Sequence, residues 1–310
     1  MSRRKKKNHL SDKRIAFFIT AAVISLLVWI LPGISDEFAK YFTFYDNSVN
    51  ITPTDGELSV HYIDVGQGDS ELIIASDGEA MLIDAGTSES KTYLTEYLRR
   101  YKITEIKYFV LTHPHSDHIG GASAILDAFE VKNVIMPDAI STTSTYKKVL
   151  EKIDAEGCGF ITAEPNGEKY SLGTAEFKIL GPVKDYTDNL NNQSAVIRLD
   201  YGQTSFLFTG DAESQSEADM LNRFPASYFK ADVLKLGHHG SSTSTSGDWL
   251  SAVSPTYAII SCGKDNDYGH PHSEILNLLK KNNIAFFRTD QSGSIVIVSD
   301  GEAVSVLSPS

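Results

Sequence analysis

From residue 57 onward, short apolar runs alternate with turns rich in Gly, Asn and Asp and with stretches of helical spacing. Residues 58–65, 71–75 and 80–85 alternate or run apolar between glycine turns, which predicts three strands in a meander. In residues 88–101, Tyr93, Leu94, Tyr97 and Leu98 recur on one side of a helical period. The run 106–111 predicts another strand, followed by a small-residue helix to about residue 129, a strand at 133–136, a helix at 146–156 and strands around Phe160 and Phe177. The second half repeats the plan, with strands at 195–200, 205–209, 233–236 and 257–261, helices at 213–223 and 273–281, and closing strands at Ala285, Ile295 and Val304. Strands interrupted by helices in both halves give an α/β (α+β) class, and periodicity goes no further. The Ser-Thr stretch 241–246 reads as a loop.

The start of the chain breaks the pattern. Residues 15–31 contain no charged side chain, Pro32-Gly33 ends the run, and Arg3, Arg4, Lys5, Lys6, Lys7, Lys13 and Arg14 precede it. With its flanks, such a run is long enough to cross a hydrocarbon core of about 30 Å as a helix. Its basic flank belongs on the cytoplasmic side. The expected organisation is a basic cytoplasmic tail at 1–14, a single-pass transmembrane signal anchor at 15–34, an aromatic juxtamembrane linker at 35–56 and one domain at 57–310, held at the cell membrane and extracellular. Cleavage near Gly33-Ile34-Ser35 is the alternative and would make the domain secreted.

Charge sharpens the contrast. The whole chain has 28 Lys and Arg against 40 Asp and Glu; the tail takes seven bases and one acid, leaving 21 against 39, about −18. Such a surface has no general attraction for a polyanion, so a nucleic acid would depend on a local patch or on bound cations. Cys158 and Cys262 are isolated and read as buried thiols, with a disulfide the alternative. No protein partner is readable.

The chemistry concentrates in residues 111–121, where His113, His115, Asp117 and His118 form a H-x-H-x-D-H array between a strand and a helix. Imidazoles and a carboxylate are the ligands that Zn2+ or Mn2+ takes from protein, and a tight turn can aim alternate side chains at two ions. Residues 206–211 end an apolar strand with Asp211, placed to bridge two ions. His238 and His239 follow the strand 233–236; on extended backbone they face opposite ways, so His238 is expected as the ligand beside Asp117 and His118, His239 as the substrate-facing residue, and the swap as the alternative. His270 is a candidate phosphate contact or general acid, and His272 reads as a helix N-terminal residue.

The array resembles the signature of the metallo-β-lactamase superfamily. Together with residues 61–70 (His61 to Ser70), Leu82-Ile-Asp84-Ala-Gly86, Asn191-Asn-Gln-Ser194, Thr209-Gly-Asp211, Gly237-His-His-Gly-Ser241 and Gly269-His-Pro, it resembles the metallo-hydrolase domain of ComEC competence proteins over about residues 57–305. The resemblance implies a four-layer αββα sandwich, preceded here by the expected transmembrane helix. It also implies metal-dependent hydrolysis, with cleavage of a DNA phosphodiester by a metal-bound hydroxide the usual proposal. Two divalent ions, Zn2+ or Mn2+, are then expected. Asp117, Asp211, His239 and His270 form the catalytic set; His113, His115, Asp117, His118, Asp211, His238 and, as a candidate, Asn191 form the metal set. Asp64, Gln67, Asp84, Ser194 and Ser241 are expected around them, fixing loops, orienting ligands or facing substrate, with Asp64 and Asp84 also readable as turn acids.

Two departures matter. Many superfamily members place a further histidine between the metal loop and the bridging aspartate, yet none lies between His118 and Asp211; Asn191 and Ser194 occupy that region, and Asn191 is equally readable as a turn residue. An amide oxygen is a harder, weaker ligand than imidazole, so Mn2+ fits as well as Zn2+. ComEC proteins also carry a polytopic channel, whereas this sequence shows one apolar span and is not expected to translocate DNA on its own. Rival readings are a hydrolase of acyl substrates (lactam or thioester) or of wall teichoic acid, and a non-catalytic cell-surface binding module. Di-iron chemistry of the flavodiiron kind is disfavoured, since those proteins have a glutamate where His115 stands.

Overall fold

The structure is a computed structural model describing residues 56–307, so the expected tail, membrane anchor and linker up to residue 55 lie outside the described residues. Among the described residues, no helix is long and apolar enough to cross a membrane.

Fifteen strands among the described residues build two sheets. In chain order they are β1 (Leu58–Tyr62), β2 (Glu71–Ile74), β3 (Ala80–Ile83), β4 (Glu105–Val110), β5 (Glu130–Met136), β6 (Gly159–Thr162), β7 (Tyr170–Leu172), β8 (Ala175–Gly181), β9 (Val196–Tyr201), β10 (Thr204–Phe208), β11 (Val233–Lys235), β12 (Tyr257–Ile260), β13 (Ala285–Arg288), β14 (Ile295–Ser299) and β15 (Val304–Leu307). The first sheet runs β15-β14-β1-β2-β3-β4-β5-β6 and the second β13-β12-β11-β10-β9-β8-β7.

Alternation along single strands sorts the layers. In β3, Met81 and Ile83 join a cluster with Phe177, Ile197, Phe206, Phe208 and Val233 of the second sheet, so this core lies between the sheets. Leu82 points the other way, into a cluster with Leu94 and Leu98 of helix Lys91–Arg100 and with Val149 and Ile153 of helix Ser144–Glu156. The second sheet does the same: Leu207, Leu234 and Ala258 meet Met220 of helix Ser214–Arg223, Trp249 of helix Gly247–Val253 and Leu279 of helix Ser273–Lys281. Three apolar layers separate four layers of structure, which is the expected αββα sandwich. Strands buried on both faces read as continuous apolar runs, which is why 106–111 and 206–208 do not alternate in the sequence.

Several short elements escaped the periodicity, among them β7, helix Gly247–Val253 and helix Thr289–Ser292. The three residues of β7 are too short to register a pattern. Helix Gly247–Val253 begins with Gly and Asp, but Ser246 caps it, its side chain accepting the Trp249 amide at 3.2 Å.

The topology also places the site. Strands β3, β4 and β5 are parallel to one another, as are β10, β11, β12 and β13. The turns after β3, β4, β10, β11 and β12 carry Asp84, His113 to His118, Asp211, His239 and His270 respectively. Chemistry at the carboxyl ends of parallel strands is the general habit of open α/β sheets.

Candidate metal centre

The H-x-H-x-D-H turn is short because a helix starts inside it. His115 caps helix Ser116–Ile119, whose first amides, from His118 and Ile119, donate back to the His115 carbonyl at 3.1 and 3.0 Å. Pro114 and this early helix throw His113 and His118 inward, both buried, and leave His115 partly exposed. Gly68 on a neighbouring loop permits the packing: a Cβ there would sit 2.3 Å from the Asp117 carbonyl oxygen, and its φ of +155° suits glycine.

Of three ligand-competent groups among the described residues, two share Asp211, and the third, Asp69, Asp84 and His118, lies behind them with Lys235 paired to Asp69. Asp117, His118, Asp211 and His239 bring ligand atoms within 4.8 Å of one another, and His113, His115 and Asp211 do the same. His118 Nε2 lies 3.2 Å and His113 Nε2 3.7 Å from Asp211 Oδ2, while His239 Nε2 lies 3.6 Å from Asp211 Oδ1 and 3.4 Å from Asp117 Oδ2. Several buried polar atoms around this centre have no hydrogen-bond partner, among them His118 Nε2, His239 Nε2, Asp211 Oδ1 and Asn191 Oδ1. Buried polar atoms are ordinarily satisfied, so lone pairs left open at one place fit a cation. A cavity of about 370 Å³ opens onto them, lined by His115, Asp117, Asn191, Asp211, His238, His239, Tyr268 and His270 among others.

Here one expectation is corrected. His239, not His238, sits in the ligand cluster. The expectation assumed extended backbone, but His238 and His239 both adopt left-handed conformations, at φ 49° and 55°, so their side chains do not alternate as in a strand. His239 is 1% exposed, and its Nδ1 donates to the Ser261 carbonyl at 3.0 Å, which leaves Nε2 as the free lone pair. His238 turns to the cavity wall instead, its Nδ1 held by Thr243 Oγ1 at 3.1 Å and Glu213 Oε1 at 3.2 Å, and its Nε2 3.9 Å from Asp211. Gly240 makes the turn possible: at φ +80° its position leaves no room for a Cβ, which would lie 2.6 Å from Pro271.

The supporting residues fall into place around this core. The Asp84 carboxylate accepts from the Thr112 amide at 2.8 Å, the Thr112 hydroxyl at 2.6 Å and His118 Nδ1 at 2.7 Å, so it orients His118. Ser194 Oγ accepts the Asp211 amide at 3.0 Å and lies 3.3 Å from His113 Nδ1, touching two candidate ligands at once. Asn191 reaches the cavity, its Nδ2 donating to Glu213 and its Oδ1 open. Gln67 accepts the Gly263 amide at 3.0 Å and ties two rim loops together. Ser241 contacts Thr243, and Asp64 accepts the Gly66 amide within its own turn, a loop-fixing acid outside the ligand groups. His270 is clamped by Asn266, which accepts its amide and donates to its carbonyl, while its Nδ1 has no partner. His272 accepts the Ser242 amide beside the helix N-terminus. Cys158 and Cys262 are free thiols.

Sequence reasoning missed Asp69, Lys235 and Glu213. Lys235 is fully buried, with Nζ 2.5 Å from Asp69 Oδ2, and Asp69 Oδ1 is 3.2 Å from His239 Nδ1. The available signal was a lysine inside the apolar run Val233-Leu234-Lys235-Leu236, since a buried ammonium needs a buried acid.

The carboxylates that would hold a cation also hold protons on the histidines. Burial opposes a charge on His118 and His239, but the carboxylates of Asp211 and Asp84 hold His118 well above the ordinary imidazole range, and Asp211 and Asp69 push His239 up to about 10. Burial likewise opposes ionisation of Asp211, yet His118, His239 and His113 hold it well below the carboxylate range. A divalent ion must displace these protons. Because His239 would otherwise stay protonated up to about pH 10, metal affinity is expected to rise with pH between about 6 and 8, with net proton release. Calorimetric titration in buffers of different ionisation enthalpy checks this; binding that is independent of pH and releases no proton would contradict it.

The comparisons with known proteins agree with the geometry. The Metallo-beta-lactamase superfamily model matches residues 63–264. The chain is 35% identical over 256 residues to ComE operon protein 3 of Bacillus subtilis, covering 77% of this chain and 33% of that protein. It is 36% identical over 241 residues to Recombination protein 2 of Haemophilus influenzae, covering 76% and 28%. It is 31% identical over 243 residues to Competence protein ComA of Neisseria gonorrhoeae, covering 78% and 32%. The chain thus spans about a third of the length of these curated relatives. Among solved structures, it matches the diiron beta-hydroxylase CmlA of Streptomyces venezuelae with a TM-score of 0.51 at 16% identity, over 76% of this chain and 53% of that one. It matches Igni18, a metallo hydrolase of Ignicoccus hospitalis, with a TM-score of 0.50 at 14% identity, over 77% and 98%. The chain belongs to the metallo-β-lactamase superfamily, as a metallo-hydrolase related to competence proteins.

Proposed function

We propose that this domain hydrolyses phosphodiesters, with single-stranded DNA as the candidate polymer, at a centre of two divalent ions, Zn2+ or Mn2+. The observation that carries the reading is the pair of ligand groups sharing Asp211, with unpartnered buried atoms at an open cavity. His113, His115 and Asp211 would hold one ion, with Asn191 Oδ1 as a further donor. Asp117, His118, Asp211 and His239 would hold the other. Bound there, such ions would supply Lewis acidity, to activate water and to offset charge on a phosphoryl group.

The chain's own residues supply the rest. Asp84 and Ser194 fix His118, His113 and the Asp211 backbone, so the donor set is organised before substrate arrives. With His239 in the ligand cluster, protons for the leaving oxygen fall to the histidines on the cavity wall. Burial and the neighbouring His239 and His238 bring His270 down to about 4, so at neutral pH it is an uncharged hydrogen-bonding group for substrate. His238, its Nδ1 fixed by Glu213 and Thr243, is the candidate proton donor.

Nucleic acid is favoured by the names of two relatives, a recombination protein and a competence protein, and by Tyr268. This ring is 67% exposed at the cavity, stacked on His270 at 5.6 Å and 19°. A clamped loop carrying an exposed aromatic is a stacking platform for a base. Tyr268→Ala is expected to lower kcat/KM on single-stranded DNA about tenfold, within the ~1–3 kcal/mol of one base stack, and to leave an abasic strand of equal length unaffected. Equal loss on both strands would leave Tyr268 no part in base recognition. The membrane anchor at residues 15–34 belongs to the same proposal and is supported by its uncharged run and basic flank. Turnover of single- and double-stranded DNA, a chromogenic phosphodiester and a thioester by the metal-loaded chain tests the reading; thioester cleavage alone would replace it with acyl chemistry.

A further inference from the structure

The donor set is divided between the two sheets. His113, His115, Asp117 and His118 follow β4 of the first sheet, while Asp211 and His239 follow β10 and β11 of the second. The spacing of the sheets therefore decides whether the second group closes around an ion. Between the sheets lies apolar packing such as Tyr62 against Phe208, with ring centroids 6.1 Å apart. Apolar contact is non-directional and sets register only loosely.

Polar contacts also cross between the sheets near the centre, among them the Ala195 amide to the Thr112 carbonyl at 2.9 Å and Ser194 Oγ to His113 Nδ1 at 3.3 Å, and one of them is a lysine ion pair. Lys235, the last residue of β11, reaches Asp69 in the loop before β2, Nζ to Oδ2 at 2.5 Å, and also donates to the Leu236 carbonyl at 2.9 Å. Among the described residues, no other lysine or arginine is buried. Asp69 is tied to two loops of the first sheet: its amide donates to the Asp117 carbonyl at 3.2 Å, and its carbonyl accepts from Gly86 at 2.8 Å, two residues past Asp84. Its second carboxylate oxygen lies 3.2 Å from His239 Nδ1, the nitrogen that donates to the Ser261 carbonyl at 3.0 Å, so the charge of Asp69 acts on this side of the ring beside that hydrogen bond, opposite Nε2.

A buried ion pair of this kind is a poor stabiliser, since taking both charges out of water offsets most of their attraction, and apolar residues of similar volume would serve the fold as well. Its position, spanning the sheets and ending on a ligand, calls for another role. We propose that Lys235 and Asp69 are positioning residues for the ion held by Asp117, His118, Asp211 and His239: they fix the spacing of the sheets at the site and aim His239 Nε2. This rests on the two-ion reading above. His113 and His115, which would hold the other ion, lie outside the clasp: their side chains contact Ser194, Thr112 and each other.

Metal titration of the metal-stripped full chain against a chelating indicator, with Mn2+ and Zn2+ in turn, tests the proposal on Lys235→Met and on the double variant Lys235→Met/Asp69→Asn, which removes both charges together. The expected result is that one ion binds as in the unaltered chain and the other about 10–100-fold more weakly. Asp69→Asn alone carries the same expectation if Lys235→Met does not fold. Folded variants that bind both ions unchanged, or that weaken both equally as their melting temperature falls, would reduce the pair to a structural contact. An unaltered chain that binds no ion would instead overturn the two-ion reading itself.

Discussion

Asp211→Ala is expected to strip the centre of both ions and to lower kcat by about 10³-fold or more, the several kcal/mol that ions contribute to stabilising transition-state charge. Asp211 is the residue common to both ligand groups and lies within 4 Å of His113, His118, His238 and His239. The fold should survive. The turn that carries Asp211 is held by main-chain contacts that alanine keeps: the residue 211 amide to Ser194 Oγ, and the Ala212 amide to the Thr209 carbonyl. Metal content and kcat, measured beside a circular dichroism melt, check this. A folded variant that keeps both ions would show that Asp211 bridges nothing.

The second large effect separates two adjacent residues. His239→Ala removes a buried member of the ligand cluster and is expected to lose one ion and more than about 100-fold in kcat/KM, beyond the 10–100-fold usual for residues that merely support a ligand. His238→Ala is expected to keep both ions and to lose about 10²-fold in kcat, the low end of general acid catalysis. The reasons are the Nε2 of His239, buried and unpartnered, and the outward turn of His238 toward Glu213 and Thr243. Metal counts on the two variants decide the matter. Loss of an ion in His238→Ala with retention in His239→Ala would reverse the assignment.

The residues that were legible in advance are those whose chemistry is local. H-x-H-x-D-H occupies one turn, so its spacing alone shows that several donors converge. Asp211 was readable because glycine followed by an acid ends an apolar strand beside a known ligand turn. The four-layer architecture was less so: periodicity yields strands and helices, whereas their stacking came from the resemblance and then from three separate apolar clusters. The choice between His238 and His239 depended on left-handed backbone at both residues, followed by Gly240 at φ +80°. Alternation rules cannot anticipate that. Lys235 and Asp69 are 166 residues apart, and nothing near either one points to the other. Asn191 was visible only as an amide in the right region; its open Oδ1 and the Glu213 contact that turns it are tertiary facts.

The acidic balance of the domain also becomes intelligible. On the proposed reading a polyanion would gain nothing from the surface at large, so its approach would rest on cations held at the centre and on Tyr268 at the cavity. The central claim is that two ions sharing Asp211 make this chain a phosphodiesterase. The measurement that tests it most directly is the turnover of bis(4-nitrophenyl) phosphate by the metal-stripped chain as Mn2+ or Zn2+ is added in known equivalents. The account predicts activity that climbs to a plateau at two equivalents per chain. A chain that takes up two equivalents and leaves the diester intact, or reaches full activity at one, would contradict it.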